Sequence, residues 1–332
     1  MHNVSIIIVL IVILTFIFDF INGFHDTATA VATSISTKAL TPKRAILICA
    51  IFNFIGAFTG TAVAKTVGAG IVDSQSVPQW VILCVLIGSI IWNLITWYFG
   101  IPSSSSHALI GALVGGGIAY TCTWDVVNWY NLFHSVVLWL FLSPVIGLVV
   151  GYILMTLLNF ILKPFKINVV NRLFRKLQIV AGAFMALNHG GNDAQKSMGI
   201  ITMALFGAGC IDAFEVPKWV IAGCALSMAL GTSLGGKRII RTMGHGVTKL
   251  TPVSGFAAQT GAACVILVAS LFHAPVSTTH ITTTTIMGVG ASKRFKSVKW
   301  GVAQSIVWAW VLTIPITALL SATLIFIVKI FI

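Results

Sequence analysis

Residues 4–37 read VSIIIVLIVILTFIFDFINGFHDTATAVATSIST, an apolar stretch that contains Asp19, Gly23 and Asp26. A helix that crosses a bilayer needs about 20 consecutive apolar residues, so this stretch is longer than one crossing requires. A glycine and two acidic residues interrupt it where hydrocarbon would surround the chain. We therefore predict a discontinuous span with a polar break inside the membrane.

The composition extends this prediction to the whole chain of 332 residues. Apolar side chains make up 58% of it and charged ones 8%, against about 25% charged residues in soluble domains. A soluble enzyme could not bury so much apolar surface. The apolar residues also come in long runs instead of the alternation of a transmembrane barrel. The predicted fold class is an all-α integral membrane protein with several spans.

Positive charge is collected in short clusters between the apolar runs. The formal net charge is +13, from 20 Lys and Arg against 7 Asp and Glu, and the clusters lie at 38–44, 163–176, 237–249 and 293–299. Nucleic-acid binding needs a basic face on a folded domain, so it is not predicted. Basic clusters of this kind are typical of cytoplasmic loops beside membrane lipid. Placing all of them inside predicts a multi-pass protein of the plasma or inner membrane with both termini outside.

Two groups of residues recur in the two halves of the chain. Gly-Phe-His-Asp at 23–26 corresponds to Gly-Gly-Asn-Asp at 190–193, and PSSSSH at 102–107 corresponds to PVSTTH at 275–280. We count about five passes in each half, an odd number, so the halves have opposite orientations. The predicted organisation is a first inverted repeat at 1–160, a basic cytoplasmic linker at 161–178 and a second inverted repeat at 179–332. Each repeat is expected to contain a discontinuous helix and a hairpin resembling a re-entrant loop.

Two acidic residues at matched positions, Asp26 and Asp193, are predicted to be the coupling-cation sites. An ionised carboxylate in hydrocarbon is costly unless it faces a cavity or a counter-charge. A buried ion pair or a kinked helix is the structural alternative, but equivalent positions beside glycines favour sites for H⁺ or for Na⁺ as a metal ion. His25 could share a proton with its neighbour. Asn22 and Asn192 could satisfy backbone groups that a break sets free.

The hydroxyl runs after Pro102 and Pro275 are predicted to bind an oxyanion. Each run precedes a helix, and a helix N-terminus offers free N–H groups and the positive end of the dipole. Simple helix capping is the structural alternative. Lys196 either extends to the membrane interface or supplies a counter-charge to the anion. The predicted phosphate-binding residues are Ser104, Ser105, Ser106, Ser277, Thr278, Thr279 and Lys196.

Functions of other classes fit these motifs less well. GTSLG at 231–235 fits the G-x-S-x-G pattern of hydrolases, but it reads as a helix end and a helix-packing face, so no enzyme is predicted. No cofactor is expected, since the chain contains no Walker A or HExxH sequence. A channel would use rings of filter residues, whereas paired breaks in inverted halves favour alternating access. Sulfate or another oxyanion stays open as the substrate.

These motifs resemble those of the inorganic phosphate transporter family, the low-affinity Pit phosphate permeases of bacteria. NGFHDTATAVATSISTKAL at 22–40 and GGNDAQKSMG at 190–199 are similar to its two signatures, and the Ser/Thr segments resemble its paired hairpins. The resemblance covers nearly the whole chain. It implies an inverted-repeat symporter that imports phosphate, with Ser/Thr tips on the anion and Asp residues at the cation sites. Bacterial relatives further imply transport of metal–phosphate complexes.

The chain departs from the pattern of Na⁺-coupled members at both signatures. Those members have Gly-Ala-Asn-Asp with a second Asn three residues after the Asp. Here His25 precedes the first Asp and Lys196 follows the second by three residues. Titratable groups thus replace neutral ones, and our hypothesis is coupling to H⁺ instead of Na⁺. Stoichiometry, affinity, a homo-oligomeric state and a soluble accessory protein at the basic linker stay open.

Overall fold

The computed structural model describes residues 6–73 and 75–331, and this part of the chain is nearly all helical. Within these ranges the one extended pairing is an antiparallel bridge between Val72 and Val127. Five helices are long and apolar enough to cross a membrane, or six if the bent pair at 218–244 counts as one span. The predicted all-α membrane class is therefore confirmed.

The order of the helices follows the predicted order of passes. The first half contains α1 (Ile6–His25), α2 (Thr27–Ser36), α3 (Pro42–Gly56), α4 (Ala62–Gly70), α5 (Gln79–Phe99), α6 (Ser105–Thr121), α7 (Trp129–Leu132) and α8 (Leu138–Leu162). A π-helical turn at Phe133–Val137 joins the last two. The second half contains α9 (Ile167–Gly207), α10 (Lys218–Leu234), α11 (Lys237–Arg241), α12 (Pro252–Leu271), α13 (Thr278–Lys293) and α14 (Trp300–Phe331).

The break predicted in the first span lies at Asp26, between α1 and α2. It is slight, because Asp26 keeps near-helical dihedral angles of φ −82° and ψ −32°. Its amide still donates to the carbonyl of Asn22 at 2.9 Å. The interruption is therefore a single residue outside regular helix, and no loop separates α1 from α2.

The break predicted at 190–193 is wrong. α9 runs unbroken through this segment for 41 residues, and the basic segment that we expected to be a loop is helical from Ile167 onward. The glycines there permit close packing: a Cβ on Gly190 would lie 2.2 Å from the carbonyl oxygen of Asn53. Glycine inside a helix costs about 1 kcal/mol relative to alanine. Close contact with α3 offsets that cost, so the glycines do not end the helix.

A break that the sequence analysis did not predict separates α3 from α4 at residues 57–61. The expected span at 45–64 is thus two helices, which both pack against α9. Gln195 of α9 stabilises the second of them, because its Oε1 accepts the amide hydrogen of Val63 at 2.8 Å. This amide belongs to the first turn of α4, where no intrahelical acceptor exists.

Helices of the two halves pack against each other in a reciprocal pattern. α6 lies along α14 and α13 lies along α8, so the fourth predicted pass of each half contacts the fifth pass of the other. Similarly, α1 lies against α10, while α3 and α4 lie against α9. Small residues allow these approaches: a Cβ on Gly115 would lie 2.4 Å from the Cα of Ala318. The packing brings the N-termini of α6 and α13 into the interior.

Polar and apolar side chains are distributed as a membrane environment requires. Large apolar side chains are exposed along α8 and α14, among them Phe141, Phe160 and Leu319. The interior instead contains buried Asp, Asn, His, Ser and Thr side chains, concentrated on α1, α2, α6, α9 and α13. The lipid-facing surface thus surrounds a polar centre, and polar groups inside a membrane domain mark a functional site.

Candidate anion and cation site

The three hydroxyls before each histidine, at residues 104–106 and 277–279, form two matched runs, and the first hydroxyl of each matched run caps a helix. Ser104 Oγ accepts the amide hydrogen of His107 at 3.2 Å, and Ser277 Oγ accepts that of His280 at 3.2 Å. Each hydroxyl satisfies one of the free N–H groups in the first helical turn. The hydroxyls of both serines thus cap α6 and α13 and keep their own hydrogens to donate, and their predicted contact with an anion stays a prediction.

The second hydroxyl of each run binds a carboxylate of its own half. Ser105 Oγ lies 2.5 Å from Asp26 Oδ2 and 2.9 Å from Asn22 Oδ1. Thr278 Oγ1 donates to Asp193 Oδ2 at 3.0 Å. Both acids are buried, with exposures of 2% and 0%. Each hairpin tip is therefore hydrogen-bonded to the acidic residue of its own half.

The third hydroxyl of each run lies at the centre, where the two tips meet. Ser106 Oγ contacts the ammonium of Lys196 and lies 3.4 Å from the carbonyl oxygen of Val276, just before the α13 tip. Thr279 is the equivalent residue of the second run. Its hydroxyl is buried and has no hydrogen-bond partner among the described residues. The centre thus contains one engaged hydroxyl and one free hydroxyl from opposite halves.

Lys196 connects the two tips. Its Nζ contacts Asp193 Oδ1 and Ser106 Oγ and donates to the carbonyl oxygen of Val276 at 2.8 Å. An ammonium has three donors, and these three partners use them all. The side chain is 2% exposed, so it does not extend to an interface. Its ammonium lies between the two tips, and the counter-charge role stays a prediction.

Each carboxylate has a histidine beside it. His25 Nδ1 lies 2.6 Å from Asp26 Oδ1, and its Nε2 lies 3.0 Å from Thr96 Oγ1. In the second half, His189 Nε2 lies 3.2 Å from Asp193 Oδ2. The sequence analysis singled out the first histidine and missed the second. The signal was available, since residues four apart on a helix share a face.

The two asparagines predicted at the cation sites lie in different surroundings. Asn22 Oδ1 accepts from Ser105, beside Asp26. Asn192 Nδ2 instead donates to Ser270 Oγ at 2.9 Å and to the carbonyl oxygen of Ala274 at 3.2 Å. It therefore holds the connection between α12 and α13. The structure thus places Asn22 beside a carboxylate. The amide nitrogen of Asn192 is instead directed away from the carboxylates.

A ring cluster that the sequence analysis did not find lies beside the tips. The rings of His107 and His280, one from each half, have centroids 4.8 Å apart. Trp310 of α14 stacks on His280 with centroids 3.9 Å apart, and its Nε1 donates to the carbonyl oxygen of Pro102 at 3.0 Å. No sequence pattern pairs Trp310 with the tips, because only the packing of α14 along α6 brings it there.

The serine of the hydrolase-like pattern is not arranged as a nucleophile. Ser233 is exposed near the end of α10, and its hydroxyl donates to the carbonyl oxygen of Ala229 at 2.9 Å in its own helix. A Cβ on Gly231 would lie 1.9 Å from the carbonyl oxygen of Phe20. The pattern is therefore a packing face of α10 on α1, as predicted.

Taken together, the groups at the centre are of the kind that proteins use to bind a multiply charged oxyanion. Hydroxyl donors from both halves, one ammonium and two helix N-termini converge at the tips, and neutral donors bind an anion without neutralising it permanently. Two buried carboxylates with adjacent imidazoles lie directly behind them. This combination suits an anion that binds together with one or more cations.

Comparisons with known proteins point to one family. The sequence model of the Phosphate transporter family matches residues 22–169 and 162–321. A probable low-affinity inorganic phosphate transporter from Bacillus subtilis (strain 168) is 49% identical over 307 residues, which cover 92% of each chain. A protein of the same description from Rhizobium meliloti (strain 1021) is 46% identical over 299 residues, covering 90% of this chain and 89% of the relative. These relatives are named as transporters and not as enzymes.

A solved structure described as the sodium-dependent phosphate transporter has the same fold. Its TM-score against this chain is 0.88, and the match covers 99% of this chain and 100% of the other at 24% identity. The two chains therefore share the helical architecture along their whole length.

Proposed function

This chain belongs to the phosphate transporter family, and on that premise we propose that it is a secondary active symporter that imports inorganic phosphate with a cation by alternating access. The observation that carries the proposal is the position of Lys196. Its ammonium contacts the tip of α6, the chain before α13 and Asp193 at once. An anion bound there would contact both halves of the molecule.

Phosphate would bind between the two tips. Ser106 and Thr279 supply hydroxyl donors from opposite halves, Lys196 supplies the positive charge, and the first turns of α6 and α13 supply N–H groups. Ser105 and Thr278 connect the anion to the two carboxylates. At neutral pH phosphate keeps an O–H that a carboxylate can accept, whereas sulfate has none. The acidic residues therefore favour phosphate, as do the names of the relatives.

The coupling ion that we propose is H⁺. At Asp193 the ammonium of Lys196 takes the position beside Oδ1 that a Na⁺ ion would need. At Asp26 the imidazole of His25 lies 2.6 Å from the carboxylate, close enough to share a proton with it. The solved structure with the same fold is described as a sodium-dependent phosphate transporter. Coupling to Na⁺ is therefore the alternative that the experiment must distinguish from coupling to H⁺.

Alternating access would follow from an inverted repeat of residues 1–160 and 179–332. The reciprocal packing of α6 on α14 and of α13 on α8 supports this arrangement. Each tip is hydrogen-bonded to the carboxylate of its own half, so tip and acid would move together. Rocking of one bundle against the other could then open the centre to one side at a time.

The test is uptake of radiolabelled phosphate by proteoliposomes under separate H⁺ and Na⁺ gradients, with choline replacing Na⁺ at fixed pH. We expect accumulation under the H⁺ gradient that persists in choline and resists excess sulfate. Uptake that collapses without Na⁺ would contradict H⁺ coupling, and competition by sulfate would contradict the choice of anion. Absence of uptake under both gradients would contradict the function itself.

In the same assay, Asp26→Asn and Asp193→Asn should each reduce uptake to background while the protein stays inserted and folded. Each change removes a buried charge that the cation needs and keeps the shape of the side chain. Asp125→Asn is the matched control, because that aspartate is exposed in a loop. Near-normal uptake in either site variant would show that the cation sites lie elsewhere.

A further inference from the structure

A third buried acid, Asp19, lies outside the site described above. It belongs to α1, seven residues before Asp26, and is 0% exposed. Seven residues are two turns, so the two acids share a face of the helix about 10 Å apart. Asp19 Oδ1 accepts a hydrogen bond from Ser197 Oγ of α9 at 2.6 Å. Its Oδ2 has no hydrogen-bond partner in the described part of the chain.

The surroundings of Asp19 favour its neutral form. An ionised carboxylate that has only neutral donors beside it, here the hydroxyl of Ser197 and the thiol of Cys224, is costly to bury. The nearest cation is Lys196, the residue before Ser197, and its three donors are engaged elsewhere. The other groups that act on Asp19 are the thiol of Cys224 on α10 and the carboxylate of Asp193 on α9.

The remaining helices around α1 provide no compensating charge. α5 has two titratable side chains, Cys84 and Tyr98, which are uncharged at neutral pH, and α2 has none. Asp19 thus sits among neutral groups apart from the Lys196–Asp193 pair.

We propose that Asp19 carries a coupling proton of the symporter, in addition to the cation sites proposed at Asp26 and Asp193. The step is the loss of the proton from the carboxyl oxygen to water, which leaves a carboxylate near Lys196. That carboxylate would compete with phosphate for the ammonium and would repel the anion. Proton binding at Asp19 and phosphate binding therefore favour each other, and this coupling is reciprocal. The inference rests on the proposed function and adds to its two cation sites a third acid that the anion does not touch.

The experiment compares two activities of the variant Asp19→Asn in proteoliposomes. Exchange of internal unlabelled for external labelled phosphate needs no net proton movement, whereas accumulation driven by a pH gradient does. The asparagine mimics the protonated acid permanently. We expect exchange to persist and net H⁺-driven accumulation to fall at least about tenfold, within the range of typical coupling between sites. Phosphate itself titrates near neutral pH, so each variant is compared with wild type at the same pH.

Two further variants complete the test. Thr15→Val changes another buried polar residue of α1, whose hydroxyl donates to Ile11 of the same helix at 2.7 Å, and it should keep both activities. Asp19→Glu keeps a titratable acid and should restore net accumulation with a shifted pH dependence.

Three results would overturn the inference. One is pH-driven accumulation by Asp19→Asn at the wild-type level. Another is loss of exchange in Asp19→Asn protein that elutes from gel filtration as wild type does. The third is failure of the wild type itself to exchange or accumulate phosphate. That result would refute the proposed function and this inference with it.

Discussion

At the scale of single residues, the buried pair of Lys196 and Asp193 dominates the energetics of the centre. Both side chains are almost fully buried, and their charges are in direct contact. Removing one partner of a buried pair leaves an uncompensated charge, which costs about 3–5 kcal/mol, whereas removing both charges can be close to neutral. Stability and transport should therefore respond differently to the same substitutions.

We predict that Lys196→Met lowers the thermal unfolding temperature in detergent, because Asp193 loses its counter-charge. The double variant Lys196→Met with Asp193→Asn should recover most of this loss and still fail to take up phosphate, because both charges that the site needs are gone. Lys65→Met serves as the control, since Lys65 is exposed on α4. Equal stability of the single and double variants would contradict the buried pair.

The sequence predicted much of this site, and the reason is local. Helix capping, the burial cost of a carboxylate and the match between the hydroxyl runs depend on residues close together in the chain. They single out Asp26, Asp193 and both tips, and the structure brings each acid into contact with the tip of its own half. The contacts of Asp19 with Ser197 and of His280 with Trp310 join residues far apart in the sequence. Only the packing of whole helices determines such contacts, so no sequence pattern indicates them.

At the scale of helices, small residues set how closely the two halves approach. Glycine was taken as a helix breaker at 190–193, yet α9 continues through that segment against α3. The sequence alone does not distinguish a glycine that allows two helices to pack closely from a glycine that ends a helix. The difference lies in whether a partner backbone is near, as it is at Gly190, where the oxygen of Asn53 fills the space of the missing side chain.

This distinction predicts opposite effects for two glycine-to-alanine changes. In Gly115→Ala the new Cβ would lie 2.4 Å from both the Cα and the carbonyl oxygen of Ala318, so α6 must move away from α14 and the unfolding temperature should fall. In Gly301→Ala nothing lies within 4 Å of the new Cβ, and the gain in helix propensity is up to about 1 kcal/mol. Thermal unfolding of both variants in detergent measures the difference. Comparable destabilisation by the two would contradict tight packing of α6 on α14.

At the scale of the whole molecule, charge patterning and helix order together define an orientation in the membrane. The connection at 163–166 between α8 and α9 lies within a basic cluster, which favours the cytoplasmic side. The connections at 122–128 and 208–217 carry acidic and aromatic residues instead. We propose that they lie outside, together with both termini. Two native cysteines, Cys122 and Cys210, lie in these connections, and both are at least partly exposed.

A membrane-impermeant maleimide applied to intact cells should therefore label Cys122 and Cys210. In a chain with Cys122→Ser and Cys210→Ser, the exposed Lys163→Cys should react only after the membrane is permeabilised, and Asp212→Cys should react without it. The remaining cysteines contribute little background, because Cys49, Cys84 and Cys224 are buried and Cys264 lies within the apolar helix α12. Labelling of Lys163→Cys in intact cells would reverse the orientation.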